Sequence, residues 1–510
     1  MDPSSYLNSA KADAVLLALD HRGLPLDDGP EVAVKYVTSL RHSIREASGA
    51  LVIVQTLPCL PEVLFGSLDA RTESATRFKI NKFNRLLIES IENDSDILLD
   101  VCGLAEIIGL NEWHDPVQWH MAKLPFSQSC APIYADYVAR LLSALRGRSR
   151  KCLVLDLDNT IWGGVIGDDG LEGLKLGQGD AVGEAFLSVQ QMALDLRARG
   201  IVLAVCSKNE DHIARMPFRE HPDMILKENH IAVFQANWDD KATNLEAIAS
   251  SLNLNVDALV LLDDNPVERA QVRDALPSVA VPELPDDPAL FARILSFAGY
   301  FEAVAVSEDD KKRAEFYQTN AERVKLKGGS RDINSFLVSL NMEISFATFD
   351  SPGRSRIAQL INKSNQFNLT SNRYTETEIS AMENDPSIIT LQVRLMDRFG
   401  DNGMVSVVIC RINEDLGKCI EIDTWLMSCR VLGRRVEEAV LGELIHIVKQ
   451  RGKTALLGTY IISGRNQLVA DHYKKLGFSL VEDASNQTTW RLDASAYKYI
   501  NLPMKIKSQF

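Results

Sequence analysis

Apolar residues fall along this chain in short unbroken runs, separated by longer stretches with helical spacing. Leu51-Val-Ile-Val-Gln-Thr, Ile97-Leu-Leu-Asp-Val, Cys152-Leu-Val-Leu, Ile201-Val-Leu-Ala-Val-Cys and Ala258-Leu-Val-Leu-Leu each read as a buried strand. Between them lie amphipathic stretches. Residues 134–145 place Tyr137, Val138, Leu141 and Leu142 on one helical face, residues 182–199 form another helix, and a third begins at Lys241 and runs to about Leu252. Such alternation implies right-handed crossovers and a parallel, doubly wound α/β sheet. After Gly328-Gly329 the pattern changes. Residues 404–410 and 420–426 read as strands, Val436, Val440, Leu444 and Ile447 mark a helix, another strand starts at Ala455, and Tyr473-Lys-Lys-Leu-Gly-Phe ends a helix at its glycine.

These changes divide the chain. We expect an N-terminal α/β domain over residues 1–148, ending in the basic stretch Arg146-Gly-Arg-Ser-Arg150. A central parallel-sheet domain follows over 149–300, then a connecting helix over 301–329 with the run Glu308-Asp-Asp-Lys-Lys-Arg313, and a C-terminal α+β domain over 330–510. Length agrees, since 510 residues exceed what one hydrophobic core supports.

Composition narrows the class. No apolar run is long enough for a bilayer, and the start Met-Asp-Pro-Ser-Ser-Tyr lacks a secretory pattern, so we expect a cytoplasmic protein with no membrane partner. Eight cysteines without CxxC spacing indicate neither a disulfide framework nor zinc. A net charge of −14 argues against non-specific nucleic-acid binding. Two basic clusters stand out locally: Arg146, Arg148, Arg150 and Lys151, and then Arg430, Arg434 and Arg435.

Chemistry gathers at strand ends. The strand from Cys152 stops at Asp156 and Asp158, before Gly163-Gly164. Two aspartates alone are better explained by an ordinary strand end with a polar turn. The next strand, however, ends in Ser207-Lys208-Asn209, the third in Asp263-Asp264-Asn265-Pro266, and Lys241 opens the helix between them. These residue types suit phosphoryl transfer. A carboxylate can attack phosphorus, a second can move a proton, a hydroxyl and an ammonium can hold phosphate oxygens, and Mg²⁺ can bridge carboxylates and phosphate. In the N-terminal domain Asp115 and His120 have the types of an acid/base pair, but no nucleophile motif precedes them, and we expect a docking or structural role there.

The central segment resembles the haloacid dehalogenase superfamily of phosphotransferases, with its four motifs in order. The resemblance implies Asp156 as nucleophile and Asp158 as general acid/base whose main-chain carbonyl also binds metal. It further implies Ser207 and Lys241 as the phosphate-binding pair, with Asn209 beside them, and Asp263 as the distal Mg²⁺ ligand with Asp264 adjacent. Little sequence separates the motifs, so no large cap domain is expected, which favours a large or protein-borne substrate.

Longer stretches are similar to the FkbH-like family. They are residues 151–170, Asp263-Asp-Asn-Pro-Val-Glu-Arg269, Asn365-Gln-Phe-Asn-Leu-Thr370, Asp397-Arg-Phe-Gly-Asp-Asn-Gly403 and Ser428-Cys-Arg-Val-Leu-Gly-Arg-Arg435. This resemblance covers the chain from about residue 50. It implies conversion of 1,3-bisphosphoglycerate into a glyceryl thioester on an acyl carrier protein for polyketide-type biosynthesis, with phosphopantetheine present only as the carrier's prosthetic group. The C-terminal order of elements resembles the GCN5-like acyltransferase fold, with Arg430, Gly433 and Arg435 where that fold receives pyrophosphate. Arg435 replaces a small residue there, which favours a pantetheine arm or an anionic substrate over acetyl-CoA. Cys429, beside Arg430, Arg434 and a helix start, is expected to have a lowered pKa and to act as nucleophile. The alternative is a stand-alone Mg²⁺-dependent phosphatase of small metabolites, without acyl transfer.

Overall fold

The computed structural model describes residues 12–91, 96–305, 317, 333–364, 366–412, 417–428, 431–464 and 466–509. The chain forms two compact units, Met1–Ala144 and Leu145–Phe510. Most of the expected connecting helix, including its charged run, lies outside the described residues.

The first unit holds three parallel strands in spatial order, β1 (Ala14–Leu17), β2 (Leu51–Gln55) and β3 (Ile97–Leu99). Helices α1 (Pro30–Ser48) and α2 (Thr76–Ile91) bury Val37, Ile44, Phe83 and Leu87 against Val52 and Val54 of β2. Helix α3 (Val101–Ile108) leaves β3 directly, capped by the Asp100 carboxylate. Asp115 has a local task. Its Oδ1 accepts from Val117 N at 2.9 Å and Gln118 N at 3.0 Å, and its Oδ2 from the Gln118 amide at 2.7 Å. It caps the helix Pro116–Ala122, on which His120 lies exposed.

The second unit contains two sheets. The first is parallel, with spatial order β6-β5-β4-β7, formed by β4 (Cys152–Leu155), β5 (Val202–Ser207), β6 (Val233–Ala236) and β7 (Leu259–Leu262). Successive side chains of a strand point to opposite faces, and here both faces are covered. Leu153, Leu155, Leu203, Val205, Val260 and Leu262 meet α4 (Ala181–Ala198) and α5 (Asp211–Glu220) through Phe186, Val189, Ala193 and Phe218. Val154, Val202, Ala204 and Leu261 meet α6 (Lys241–Ser251) and α7 (Pro266–Ala275) through Leu245, Ile248 and Val272. That arrangement explains why these strands are continuously apolar in sequence. No inserted domain separates them; the chain after β4 instead makes a short flap, where Gly163 pairs with Lys175. A Cβ on Gly163 would sit 2.9 Å from the Phe186 ring, so the glycine lets the flap lie against α4.

Arg150, from the first basic cluster, is a strut. Its guanidinium donates to the carbonyls of Asp257 and, at 2.7 Å, Ser278.

The other sheet has eight strands, β8 (Met342–Ala347), β9 (Ile388–Asp397), β10 (Gly400–Arg411), β11 (Cys419–Met427), β12 (Ala455–Ile461), β13 (Ser479–Ala484), β14 (Gln487–Asp493) and β15 (Met504–Ser508). Their spatial order is β13-β14-β12-β11-β10-β9-β8-β15. The β8–β11 run is antiparallel, whereas β11 and β12 are parallel and joined through α8 (Val436–Gln450). A helix crossing between two central parallel strands of a largely antiparallel sheet is the GCN5-like arrangement; the edge pair β15–β8 is also parallel. Its core joins Val440, Leu444 and Val448 of α8 to Val405, Ile420, Ile422 and Leu456. The fold is thus α/β in its parallel units and α+β in the C-terminal part.

Candidate active site

The parallel strands β4, β5 and β7 are adjacent, so their carboxyl ends bring Asp156, Ser207 and Asp263 to one edge, and α6 begins there with Lys241. In open α/β sheets this is the edge at which ligands bind. Asp156 continues the strand pairing, donating its N–H to Leu262 O at 2.9 Å. Its carboxylate lies 3.1 Å from Lys241 Nζ, which also donates to Asp263 Oδ2. Carboxylate oxygens of Asp156, Asp263 and Asp264 all fall within 4.8 Å of one another. Asp156 is 7%, Lys241 3% and Asp263 0% exposed, so this charge is packed into the protein.

Three carboxylates face one ammonium. Burial pushes the Asp156 carboxyl up to about 7; the Asp263 charge adds to that shift, while Lys241 opposes it. Burial and Asp263 likewise raise Asp264, against its bond from Thr160. Burial works against the Lys241 ammonium, but the two carboxylates outweigh it and hold the proton. An all-oxygen donor set with excess negative charge fits a hard divalent cation such as Mg²⁺. Asp156, Asp263 and Asp264 are the side chains that would hold it.

The Asp158 carboxylate is not in this group. Its Oδ1 accepts from Trp162 Nε1 at 2.9 Å and Ile166 N at 3.0 Å, and its Oδ2 from Asn209 Nδ2 at 2.8 Å. Any metal contact of Asp158 therefore falls to its main-chain carbonyl. Asn209 also reaches Ser207 Oγ at 3.2 Å, so it ties the expected proton-transfer group to the expected phosphate-binding hydroxyl.

Two residues to which the sequence reading gave no role complete the site. The Thr160 hydroxyl lies 3.1 Å from Asp264 Oδ1 and 3.1 Å from Asp264 N, which joins the β4 and β7 loops. Arg269 is 2% exposed and donates through Nη1 to Asp263 O at 3.0 Å and Asp264 O at 2.5 Å. Its Nη2 reaches Glu283 Oε1 at 2.5 Å, so the aspartate turn is braced from beneath. The only sequence signal was that Thr160 and Arg269 fall within the long motifs around each aspartate pair.

The C-terminal candidates are placed differently. Cys429 and Arg430 lie outside the described residues. Gly433 (φ +74°) and Arg435 (φ +63°) both take left-handed backbone immediately before α8. Arg435 pairs with Glu438 at 2.5 Å, and Arg434 is buried, donating to Asp397 Oδ2 at 2.9 Å. Arg434, one of the two guanidiniums expected to favour a Cys429 thiolate, thus already has a carboxylate partner, as does Arg435, and Glu437 and Glu438 occupy the first turn of α8. That helix start is less receptive to anions than a bare one.

Among solved structures, the chain is similar to the N-terminal part of the protein BF1531 from Bacteroides fragilis, which contains a phosphatase domain complexed with Mg. Identity is 33% over 60% of this chain and 83% of that one, with a TM-score of 0.56. The chain belongs to this phosphatase-domain family. It is also similar to the ribosomal-protein-S18-alanine N-acetyltransferase from Escherichia coli, with 12% identity over 30% of this chain and 96% of that one and a TM-score of 0.24. The spermidine/spermine N-acetyltransferase SpeG from Vibrio cholerae gives 10%, 32%, 96% and 0.24 for the same measures. No family model and no curated protein matches the sequence. Among the described residues, no helix is long and apolar enough to cross a membrane.

Metal binding in this phosphatase domain should depend on pH in a defined direction. The Asp156 carboxyl, raised to about 7, carries a proton below that pH, and a divalent cation has to displace it. Titration calorimetry with Mg²⁺ should show affinity falling by up to about tenfold per pH unit below about 7 and levelling off above it. Equal affinity at about pH 6 and about pH 8 would remove Asp156 from the ligand set.

Proposed function

We propose that this chain takes 1,3-bisphosphoglycerate, removes phosphate at the Asp156 site, and loads the glyceryl group as a thioester on an acyl carrier protein. The observation that carries the phosphatase half is the buried group of Asp156, Lys241, Asp263 and Asp264 at the edge of β4. The acyl-transfer half is supported by the GCN5-like C-terminal sheet and by the resemblance of residues 428–435 to the FkbH-like family.

In the phosphatase step an Asp156 oxygen attacks phosphorus and the bond to the C3 oxygen breaks. Asp158 protonates that oxygen, then takes a proton from the water that hydrolyses the aspartyl phosphate. The Asn209 amide and the flap hold Asp158 in place for both transfers. Ser207 and Lys241 hold the non-reacting phosphate oxygens. Bound Mg²⁺ would offset the repulsion between carboxylates and phosphate.

The C1 acyl phosphate is already activated. The Cys429 thiolate attacks the carbonyl, phosphate leaves with the electron pair, and a thioester forms. Exchange with the carrier's pantetheine thiol replaces one thioester by another, so little free energy changes.

The test is to incubate enzyme, carrier protein and 1,3-bisphosphoglycerate and weigh both proteins. We expect a glyceryl group on the carrier, and no covalent glyceryl on Cys429→Ser enzyme. An adduct that survives this substitution would refute the Cys429 assignment. Phosphate release that ignores the carrier, with no adduct on either protein, would leave a phosphatase of small metabolites.

A further inference from the structure

The C-terminal sheet has a second face, opposite the one that packs on α8. The helix Arg354–Lys363 lies on this face over β10 and β11, where Ile357 and Ile361 pack with Val407, Ile409 and Leu426. Over β8, β9 and β15 the same face opens into a cavity of about 710 Å³. That volume suits a small molecule.

Strand register gives the cavity its shape. Lys507 of β15 stands opposite Ser345 of β8, and Ser345 stands opposite Arg394 of β9. Residues in register on neighbouring strands share a face. One row therefore reads cation, hydroxyl, cation, with Arg394 and Lys507 about 10 Å apart at the backbone. The next row on this face, about 7 Å along the strands, pairs Ala347 with Gln392. Small side chains on β8 make the floor of a trough, and longer ones on β9 and β15 make its walls.

The two rows differ in chemistry. In the first, the cations are loosely held. Lys507 meets Glu343 at 2.7 Å but is 66% exposed, and Arg394, 53% exposed, lies 3.9 Å from Asp401. Exposed pairs of this kind fix a side chain weakly, so both cations can turn to a ligand above Ser345. Two cations and a hydroxyl around one point suit a tetrahedral oxyanion. In the second row Gln392 is buried, and its amide N–H₂ donates to Thr348 O at 2.7 Å and Asp350 Oδ2 at 2.9 Å. Among the described residues no donor reaches its Oε1. A Cβ on Gly353 would sit 2.9 Å from that oxygen and 2.7 Å from Asp350 Oδ1. Gly353 has ordinary right-handed backbone (φ −83°, ψ −17°), so a glycine serves there for space and not for conformation. It keeps open the approach to an acceptor, and an acceptor calls for a hydroxyl.

We propose that this trough binds a three-carbon phosphate monoester with a free hydroxyl group. Its phosphate lies between Arg394 and Lys507 over Ser345, and its hydroxyl donates to Gln392 Oε1. The spacing of about 7 Å between the rows matches the length of such a molecule. Asp350, beside Gln392, repels the phosphate from the hydroxyl end and so fixes the orientation. The site is independent of the chemistry at Asp156 and of Cys429.

Titration calorimetry of the full chain in chelator, with glycerol 3-phosphate as the probe, tests this. We expect the wild type to bind the ester, and Arg394→Ala and Ser345→Ala to bind it at least about tenfold more weakly. Inorganic phosphate should bind the wild type at least about tenfold more weakly than the ester, because it does not reach Gln392. Gly353→Val fills the hydroxyl end and should lose that preference, whereas Ser207→Ala should keep both affinities. Thermal melts check that each variant is folded; Arg394 is exposed, so its substitution leaves the core intact. Binding that survives Arg394→Ala and Ser345→Ala but is lost in Ser207→Ala belongs to the Asp156 site and overturns the proposal. So does a wild type that binds inorganic phosphate as tightly as the ester, or that binds neither.

Discussion

Asp156→Asn should slow phosphate release by about 10³-fold or more while leaving the protein folded, because the proposed nucleophile is removed and not merely displaced. The same change should not weaken the metal-free fold. Asp156 shares a buried site with two other carboxylates and one ammonium, and its carboxyl is raised to about 7 from 3.8. Between those values the native state holds a proton that the unfolded chain has lost, so this group makes the metal-free protein less stable as pH rises through that window. The asparagine variant lacks that slope. Thermal melts in chelator should show a melting temperature at least as high as the wild type above about pH 7, together with a smaller gain on adding Mg²⁺. A phosphatase rate within a few-fold of the wild type would contradict the assignment.

Lys241→Met should have the opposite signature. Lys241 is the one ammonium bonded to both Asp156 and Asp263, and it is 3% exposed. Its removal leaves buried carboxylates without a counter-charge, at a cost of about 3–5 kcal/mol. Urea unfolding in chelator should therefore show a clear loss of stability. Excess Mg²⁺ should restore part of it, since a divalent cation neutralises the same carboxylates. Activity should stay low even then, because the cation does not replace the ammonium proposed to hold phosphate oxygens. Unchanged stability in chelator would mean that the charge balance drawn here is wrong.

The part of this site legible in the sequence was the part made by local pattern. An apolar run that ends abruptly in polar groups marks a buried strand with a candidate site at its end: β4 and β7 run into aspartates and β5 into Ser207. Lys241 was legible because a helix start follows Asp240, which caps it through Thr243 N. What the sequence did not show depends on contacts between distant segments. Thr160 matters because it meets Asp264, and Arg269 because its guanidinium turns back beneath the turn it follows. The turning of Asp158 toward Trp162 and Asn209, away from the other carboxylates, also has no local signature.

The strands told the same story. β6 is a half-exposed edge strand with a glutamine, so its apolar run is broken. β13 and β15 lie at the two edges of the C-terminal sheet and are almost wholly exposed, which removes the alternation that would reveal them. In the C-terminal domain Arg435 read as free positive charge, yet its left-handed backbone leads its side chain to Glu438 one turn on. Arg434, expected beside the Cys429 thiol, is buried against Asp397.

The most direct test of the account is to trap the phosphorylated enzyme. Wild-type protein mixed with Mg²⁺ and a phosphorylated glycerate, then quenched within one turnover, should gain a single phosphoryl group that maps to the peptide containing Asp156. Asp156→Asn should show none, and Asp158→Asn should accumulate more than the wild type, because the proposed base for hydrolysis of the intermediate is gone. A phosphoryl group found elsewhere, or turnover with no trapped enzyme in either variant, would contradict Asp156 as the nucleophile.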